Sequence, residues 1–343
     1  MADGWGWIRE GLLALGLIGL LVAALWVTTG SLPPMVVVES SSMMHANEGE
    51  VGAIDPGDLV LVMSTDRRTN VITYAEAAEE GNQFSGWSKH GDFGDVIIYS
   101  KNGGSDTPVI HRAMLEAVAN ATLSPTDRER SLCPTGASWD PVSIDATGEV
   151  GTCVLTWDAP GTDQWNVEQI NWTFESYKTC PSNPHGLMVQ GWDPGHAGLL
   201  TLGDHNRCDV DQGQAAYPLA NGLTDENGRP VEAVRADWLV GVAGAEIPWL
   251  GTVKLAASSN AAQVTTHSWQ MLGLSAVVLL LGTYALERAT QRLMSGSPEV
   301  AQATLEESIK GRKSVEADGG EIVDSGDGDS ELGGGSEADD SEE

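Results

Sequence analysis

MVVVESSSMMH, residues Met35 to His45, decides how this chain is read. Val36, Val37 and Val38 are β-branched and favour an extended strand. Three serines then interrupt it. Immediately upstream, Gly11 to Val38 carries no charged residue, and its core GLLALGLIGLLVAALWVTTG (Gly11 to Gly30) is 20 residues long. About 20 apolar residues cross the hydrocarbon of a bilayer as a helix. The run is longer than the roughly 7–15 apolar residues of a cleaved signal peptide, and no A-x-A site follows it. The serines are therefore expected just outside a membrane, at the end of a strand.

A second uncharged stretch, WQMLGLSAVVLLLGTYAL (Trp269 to Leu286), has Trp and Tyr near its ends, as an interfacial belt would. Arg9 precedes the first span, and Arg288, Arg292, Lys310, Arg312 and Lys313 follow the second. By the positive-inside rule both termini are cytoplasmic and residues from Ser31 to about His267 lie outside. The sequons Asn120-Ala121-Thr122 and Asn171-Trp172-Thr173 and all four cysteines fall in that outer part. The expected organisation is a transmembrane helix over 1–30, a β domain over 31–114 and 198–266 interrupted by an insertion or second lobe over 115–197, a second span over 267–287, and a disordered acidic tail over 288–343.

The formal charge is −31, from 18 basic and 49 acidic residues. Val315 to Glu343 holds 12 of the acids and no base, so the rest of the chain still carries a net −19. Such a surface repels nucleic acid and excludes it as a partner. Acid spread along the whole chain suits solubility in concentrated salt, where self-repulsion is screened within about 3 Å.

Short Val- and Ile-rich stretches bounded by turn residues predict strands: MVVVES (35–40), DLVLVM (58–63), GDVIIYS (94–100), TPVIHRAM (107–114), GLLTLGD (198–204) and WLVGVAGAEIPWLG (238–251). Ile54-Asp55-Pro56-Gly57-Asp58 reads as a tight turn into a strand. Residues 115–197 have little periodicity and read as β and loop. On the strand PVIHRA, Val109 and His111 point to one face and Ile110 and Arg112 to the other. Cys180, His185, His196, His205 and Cys208 lack metal-site spacing, so no metal and no cofactor is expected. The four cysteines read as disulfides, with three pairings open. Met43 and Met44 read as apolar contacts with the core or the membrane surface.

A serine beside the membrane, a strand-borne histidine and later acids are the parts of nucleophilic catalysis. In order, SSSM (40–43), PGDLVLV (56–62), GDVIIY (94–99), VIHRA (109–113) and TLGDHNRCDVDQ (201–212) resemble the boxes of type I signal peptidases of the archaeal and endoplasmic-reticulum type. The resemblance implies a mainly β, signal-peptidase-like catalytic domain with an inserted lobe, and a membrane-bound serine endopeptidase. It implies Ser42 as nucleophile, His111 as general base, and Ser40 with the Ser42 N–H as oxyanion donors. Its partners would be the signal peptides of Sec-type preproteins, the lipid membrane and a nearby translocon. The acid departs from the family pattern, whose spacing falls between Asp209 and Asp211. Asp211, followed by Gln212, is the expected triad acid, Asp209 its competitor, and Asp204 a supporting acid. The alternative is an inactive membrane-anchored extracellular binding domain of the same fold.

Overall fold

Helix α1 (Asp3–Thr29) exposes apolar side chains all round, and Ile8–Thr29 is long and apolar enough to cross a membrane. The computed structural model describes residues 3–68, 70–120, 132–145, 148–175, 177, 180, 186–219, 221–258, 260–295 and 306. Beyond α1, strand β1 (Met35–Val37) lies antiparallel to β2 (Leu59–Met63), with Met35 opposite Leu61 and Val37 opposite Leu59. In β2, Val60 and Val62 are fully buried while Leu59, Leu61 and Met63 are partly open, the period-two signature of a sheet packed on one face. The turn between these strands is fastened by Asp58, whose carboxylate accepts the N–H groups of Asp55 and Trp249.

Helix α2 (Tyr74–Ala78) starts with a reciprocal Thr73/Glu76 capping box. It is followed by the short hairpin β3 (Ser88–Lys89) and β4 (Asp92–Phe93), then β5 (Val96–Tyr99) and the long β6 (Val109–Ala119). Two more hairpins and a short strand come next: β7 (Ser138–Asp145) with β8 (Gly148–Val154), β9 (Trp157–Asp158), and β10 (Ile170–Phe174) with β11 (Leu187–Trp192). Strands β12 (Gly198–Leu202) and β13 (Leu239–Ile247) close the β part, and α3 (Thr252–Ala257) and α4 (Thr266–Ser295) follow. The main sheet runs β1-β2-β13-β5-β6-β12, all antiparallel, with β9 added to β6. Consequently β1 is an edge strand, paired among the described residues only with β2. The architecture is mainly β with two helices that could span a membrane.

The alternation expected of β6 is visible in its packing. Val109 and Ala113 join the cluster of Ile97, Tyr99 and Val242, whereas Ile110 packs on the cluster of Val38, Met43 and Val60. Residues of the 115–197 segment do not pack by themselves. Trp157, Ile170, Phe174 and Trp192 share one core with Tyr74 of α2, Met114 of β6 and Leu200 and Leu202 of β12. Disulfides Cys133–Cys153 and Cys180–Cys208 resolve the pairing left open by the sequence. Met43 and Met44 are both buried, so their contacts are with the protein core.

By compactness the chain divides into Met1–Ser275, which holds every sheet, and Ala276–Glu343. In the second unit the described residues are the remainder of α4 and Glu306. The helix runs eight residues past the expected end of the span at 287, because Glu287-Arg288-Ala289-Thr290-Gln291-Arg292 consists largely of good helix formers with an Arg288–Tyr284 contact one turn apart. Arg288–Ser295 is thus helix and not tail. Apart from Glu306, which is helical, the rest of the expected tail, His185 and the Ala121-Thr122 part of one sequon lie outside the described residues.

Candidate active site

Ser42 sits in the turn that follows β1. The turn is pinned at several points: the Met44 N–H donates to Ser41 O, His205 donates its backbone N–H to Ser42 O at 2.8 Å, and the His205 ring Nδ1 donates to Met44 O at 3.1 Å. His111 lies on β6, an inner strand between β5 and β12, opposite Ile97 of β5. Asp211 follows β12 and is held there by its own N–H donating to Thr201 O. These three elements are far apart in sequence and meet at one point.

At that point His111 Nε2 is 2.9 Å from Ser42 Oγ, and His111 Nδ1 is 2.7 Å from Asp211 Oδ2 and 2.9 Å from Oδ1. His111 and Asp211 are buried, and Ser42 is half-buried. With Nδ1–H donating to the carboxylate, Nε2 presents its lone pair to the serine hydroxyl, the tautomer a general base requires. Asp211 Oδ2 also accepts from the Tyr99 hydroxyl at 2.7 Å and the Thr201 hydroxyl at 2.6 Å. Burial first, and the neighbouring Asp211 charge second, push the Tyr99 phenol well above its ordinary pKa, so it stays a donor. Gln212 completes the support, with Oε1 accepting the Thr201 N–H at 2.9 Å.

The two other acids are elsewhere. Asp209 is exposed and lines an open cleft of about 640 Å³ beside the 205–211 turn. Asp204 is buried against Arg112, with Nε donating to Oδ1 at 2.9 Å and Nη2 to Oδ2 at 2.5 Å. His45 Nε2 is 2.9 Å from the same carboxylate. Burial would raise the Asp204 pKa, but hydrogen bonds from His45 and Arg112, with the guanidinium charge, hold it down at about 2. Arg112 further donates to the carbonyl oxygens of Lys89, His90, Asp92, Phe93 and Gly94. It is the residue next to His111, and it ties β6 to both the 89–94 loop and Asp204.

Ser40 Oγ is 3.1 Å from Ser42 Oγ. Among the described residues the Ser42 N–H makes no hydrogen bond, so it is free to donate to a developing oxyanion beside the Ser40 hydroxyl. The Cys/His group of the sequence is dispersed: Cys180 and Cys208 form a disulfide, His196 contacts Glu232, and His205 holds the Ser42 turn. The sequence reading missed Tyr99, Thr201, His45 and Arg112. Tyr99, Arg112 and Thr201 lie inside the quoted boxes, and their polar ends on mainly apolar strands are the available signal. Against known proteins, the chain matches no family model, no curated protein and no solved structure.

Proposed function

We propose that this chain is a membrane-bound serine endopeptidase that removes signal peptides from exported preproteins, with a signal-peptidase-like catalytic domain. The observation that carries the reading is the hydrogen-bonded chain Ser42 Oγ, His111 Nε2, His111 Nδ1, Asp211 Oδ2. A binding module has no use for a buried imidazole held between a serine hydroxyl and a carboxylate. In the proposed reaction His111 takes the Ser42 proton as Oγ attacks the scissile carbonyl carbon, and later passes it to the leaving amine. Asp211 stabilises the imidazolium, while the Ser42 N–H and Ser40 hydroxyl receive the oxyanion.

Two further features support the substrate class. Among the described residues the outer edge of β1 has no strand partner, so an extended peptide can add to it by backbone pairing. That edge begins shortly after Thr29, the last residue of α1, and Thr29 O accepts the Ser64 N–H just beyond β2. If α1 spans the bilayer, the nucleophile stands at the outer membrane surface, where the cut site of a translocated signal peptide emerges. The proposed topology has two spans, both termini cytoplasmic and the β domain outside. Expression in membranes with an exported preprotein tests the reading. Ser42→Ala and His111→Ala should each abolish processing while the protein remains inserted, and full processing by Ser42→Ala would refute it.

A further inference from the structure

The sequon Asn171-Trp172-Thr173 takes no part in the proposed reaction. It lies on β10, which pairs with β11 in a two-stranded sheet. The register of that pairing breaks between Ile170 and Trp172, so Asn171 has no residue paired opposite it. Ile170 beside it is fully buried, whereas Asn171 is exposed. An amide at an irregular, exposed point of a strand is open to chemistry that a laddered core position is not.

The hydrogen bonds of this amide are compatible with a substituent. Asn171 Oδ1 accepts the Gly191 N–H at 2.8 Å, and Nδ2 donates to Gln169 O at 3.2 Å. An Asn amide has two N–H groups, and among the described residues the second has no acceptor. A substituent that replaces this second hydrogen keeps the carbonyl oxygen, the other N–H and both bonds. Asn171 also borders an open cleft of about 670 Å³, whose lining includes Thr162, Gln164, Trp172 and Glu175. A polar group attached there meets solvent, hydrogen-bonding side chains and an aromatic ring. The other sequon makes no equal case. Asn120 Nδ2 is held by Asp158 Oδ1 at 2.7 Å, and the rest of that sequon lies outside the described residues.

We infer that Asn171 is a glycosylation site that carries an N-linked oligosaccharide. The inference rests on the proposed topology, with the β domain outside, where sequons are glycosylated. In the transfer, Asn171 Nδ2 bonds to C1 of the first sugar of an oligosaccharide carried on a lipid phosphate. The bond from C1 to the phosphate oxygen breaks, and the lipid phosphate leaves with the electron pair. One Nδ2 proton passes to a base of the transferase, and no oxidant or reductant is needed. The glycan places a bulky, hydrated group on the β10–β11 hairpin at the rim of the cleft.

The test takes the full-length chain from the membranes of its source cells and reads the mass of the proteolytic peptide that contains Asn171. That peptide should be heavier than its sequence by one or more sugar residues, and fragmentation should place them on Asn171. Asn171→Gln should lose the increment. Thr173→Val, which replaces the hydroxyl the sequon requires by a methyl group, should lose it too, and Thr173→Ser should keep it. Mass is read on the digested chain, so the result does not depend on native folding. An unmodified Asn171 in the wild-type chain, or an increment that survives Thr173→Val, overturns the inference. Protease treatment of intact spheroplasts reads the topology separately. A β domain cut only after lysis overturns the outside location, whereas one cut in intact spheroplasts with Asn171 bare overturns the glycan alone.

Discussion

Arg112 and Asp204 form a two-point ion pair in which neither side chain is exposed. The arginine is adjacent to the base His111, and the aspartate is adjacent to His205, which holds the Ser42 turn. The pair therefore fixes the segments that carry His111 and Ser42 against each other without touching either side chain's hydrogen bond. Removing one partner leaves the other charge buried, which costs about 3–5 kcal/mol. Arg112→Met should show a loss of that size in chemical unfolding of the detergent-solubilised chain. Adding Asp204→Leu should recover much of it, since an apolar replacement of both partners restores compensation. If the double variant is as unstable as the single one, the pair is not the source of the loss.

Between the competing carboxylates the geometry makes a sharp distinction. Asp211 Oδ2 lies 2.7 Å from His111 Nδ1, while Asp209 is exposed in the cleft. Asp211→Asn offers a donor where the imidazole needs an acceptor, and should lower kcat by about 10⁴-fold with little change in folding. Asp209→Asn should stay within about twofold, as an exposed substitution away from the reacting atoms. Preprotein processing rates of the two variants, with thermal unfolding as control, check both values.

How far the sequence disclosed this site depends on the range of the interactions. The strands were legible because β-branched residues and Pro or Gly turns are local signals, and β2 and β6 follow them closely. Between the acids only the Asp211-Gln212 pair pointed to the one that meets His111, because spacing in a turn is no guide to where the chain emerges. Arg207 and Cys208 both take left-handed φ values, 54° and 71°, and Cys208 is tied to Cys180, so the turn folds back tightly and delivers Asp211 to the histidine. The Tyr99–Asp211 hydrogen bond spans 112 positions and follows only from β5 lying beside β6. The shared core of 115–197 was equally hidden, since its Trp and Cys contacts carry no periodicity.

Tyr99 and Thr201 both donate to the oxygen that receives His111 Nδ1–H. A carboxylate so anchored cannot rotate away from the imidazole, and its negative charge is stabilised for its part opposite the imidazolium. Each hydrogen bond to a charged group is worth about 1.5–3 kcal/mol. Tyr99→Phe should thus reduce kcat by about 10–100-fold and leave KM unchanged, because the hydroxyl touches no substrate. Thr201→Val should act in the same direction. A change in KM alone for Tyr99→Phe would place the tyrosine in substrate binding instead.

The pH dependence of stability combines two opposite signs. Asp204, held at about 2 by His45 and Arg112, contributes stability that is present above the ordinary carboxyl value of 3.8 and is lost as pH falls towards 2. Asp55 and Asp58 are raised to about 6, chiefly by burial; backbone hydrogen bonds oppose the shift and neighbouring carboxylates reinforce it. Their folded forms hold protons more tightly than the unfolded chain does. That contribution is complete below 3.8, declines as pH rises through 6, and is gone above it. The unfolding free energy should accordingly climb from pH 2 to about 4 and fall between about 4 and 6, each raised carboxyl adding a slope of at most about 1.4 kcal/mol per pH unit. Asp58 takes two backbone N–H groups, so Asp55 is the cleaner site to change; its Oδ1 is buried without a hydrogen-bond partner among the described residues. Asp55→Asn should make the fall between pH 4 and 6 shallower and leave the acid limb as it is. Denaturant unfolding at half-unit pH steps in concentrated salt reads both limbs, and an unchanged slope in Asp55→Asn would remove Asp55 from the account.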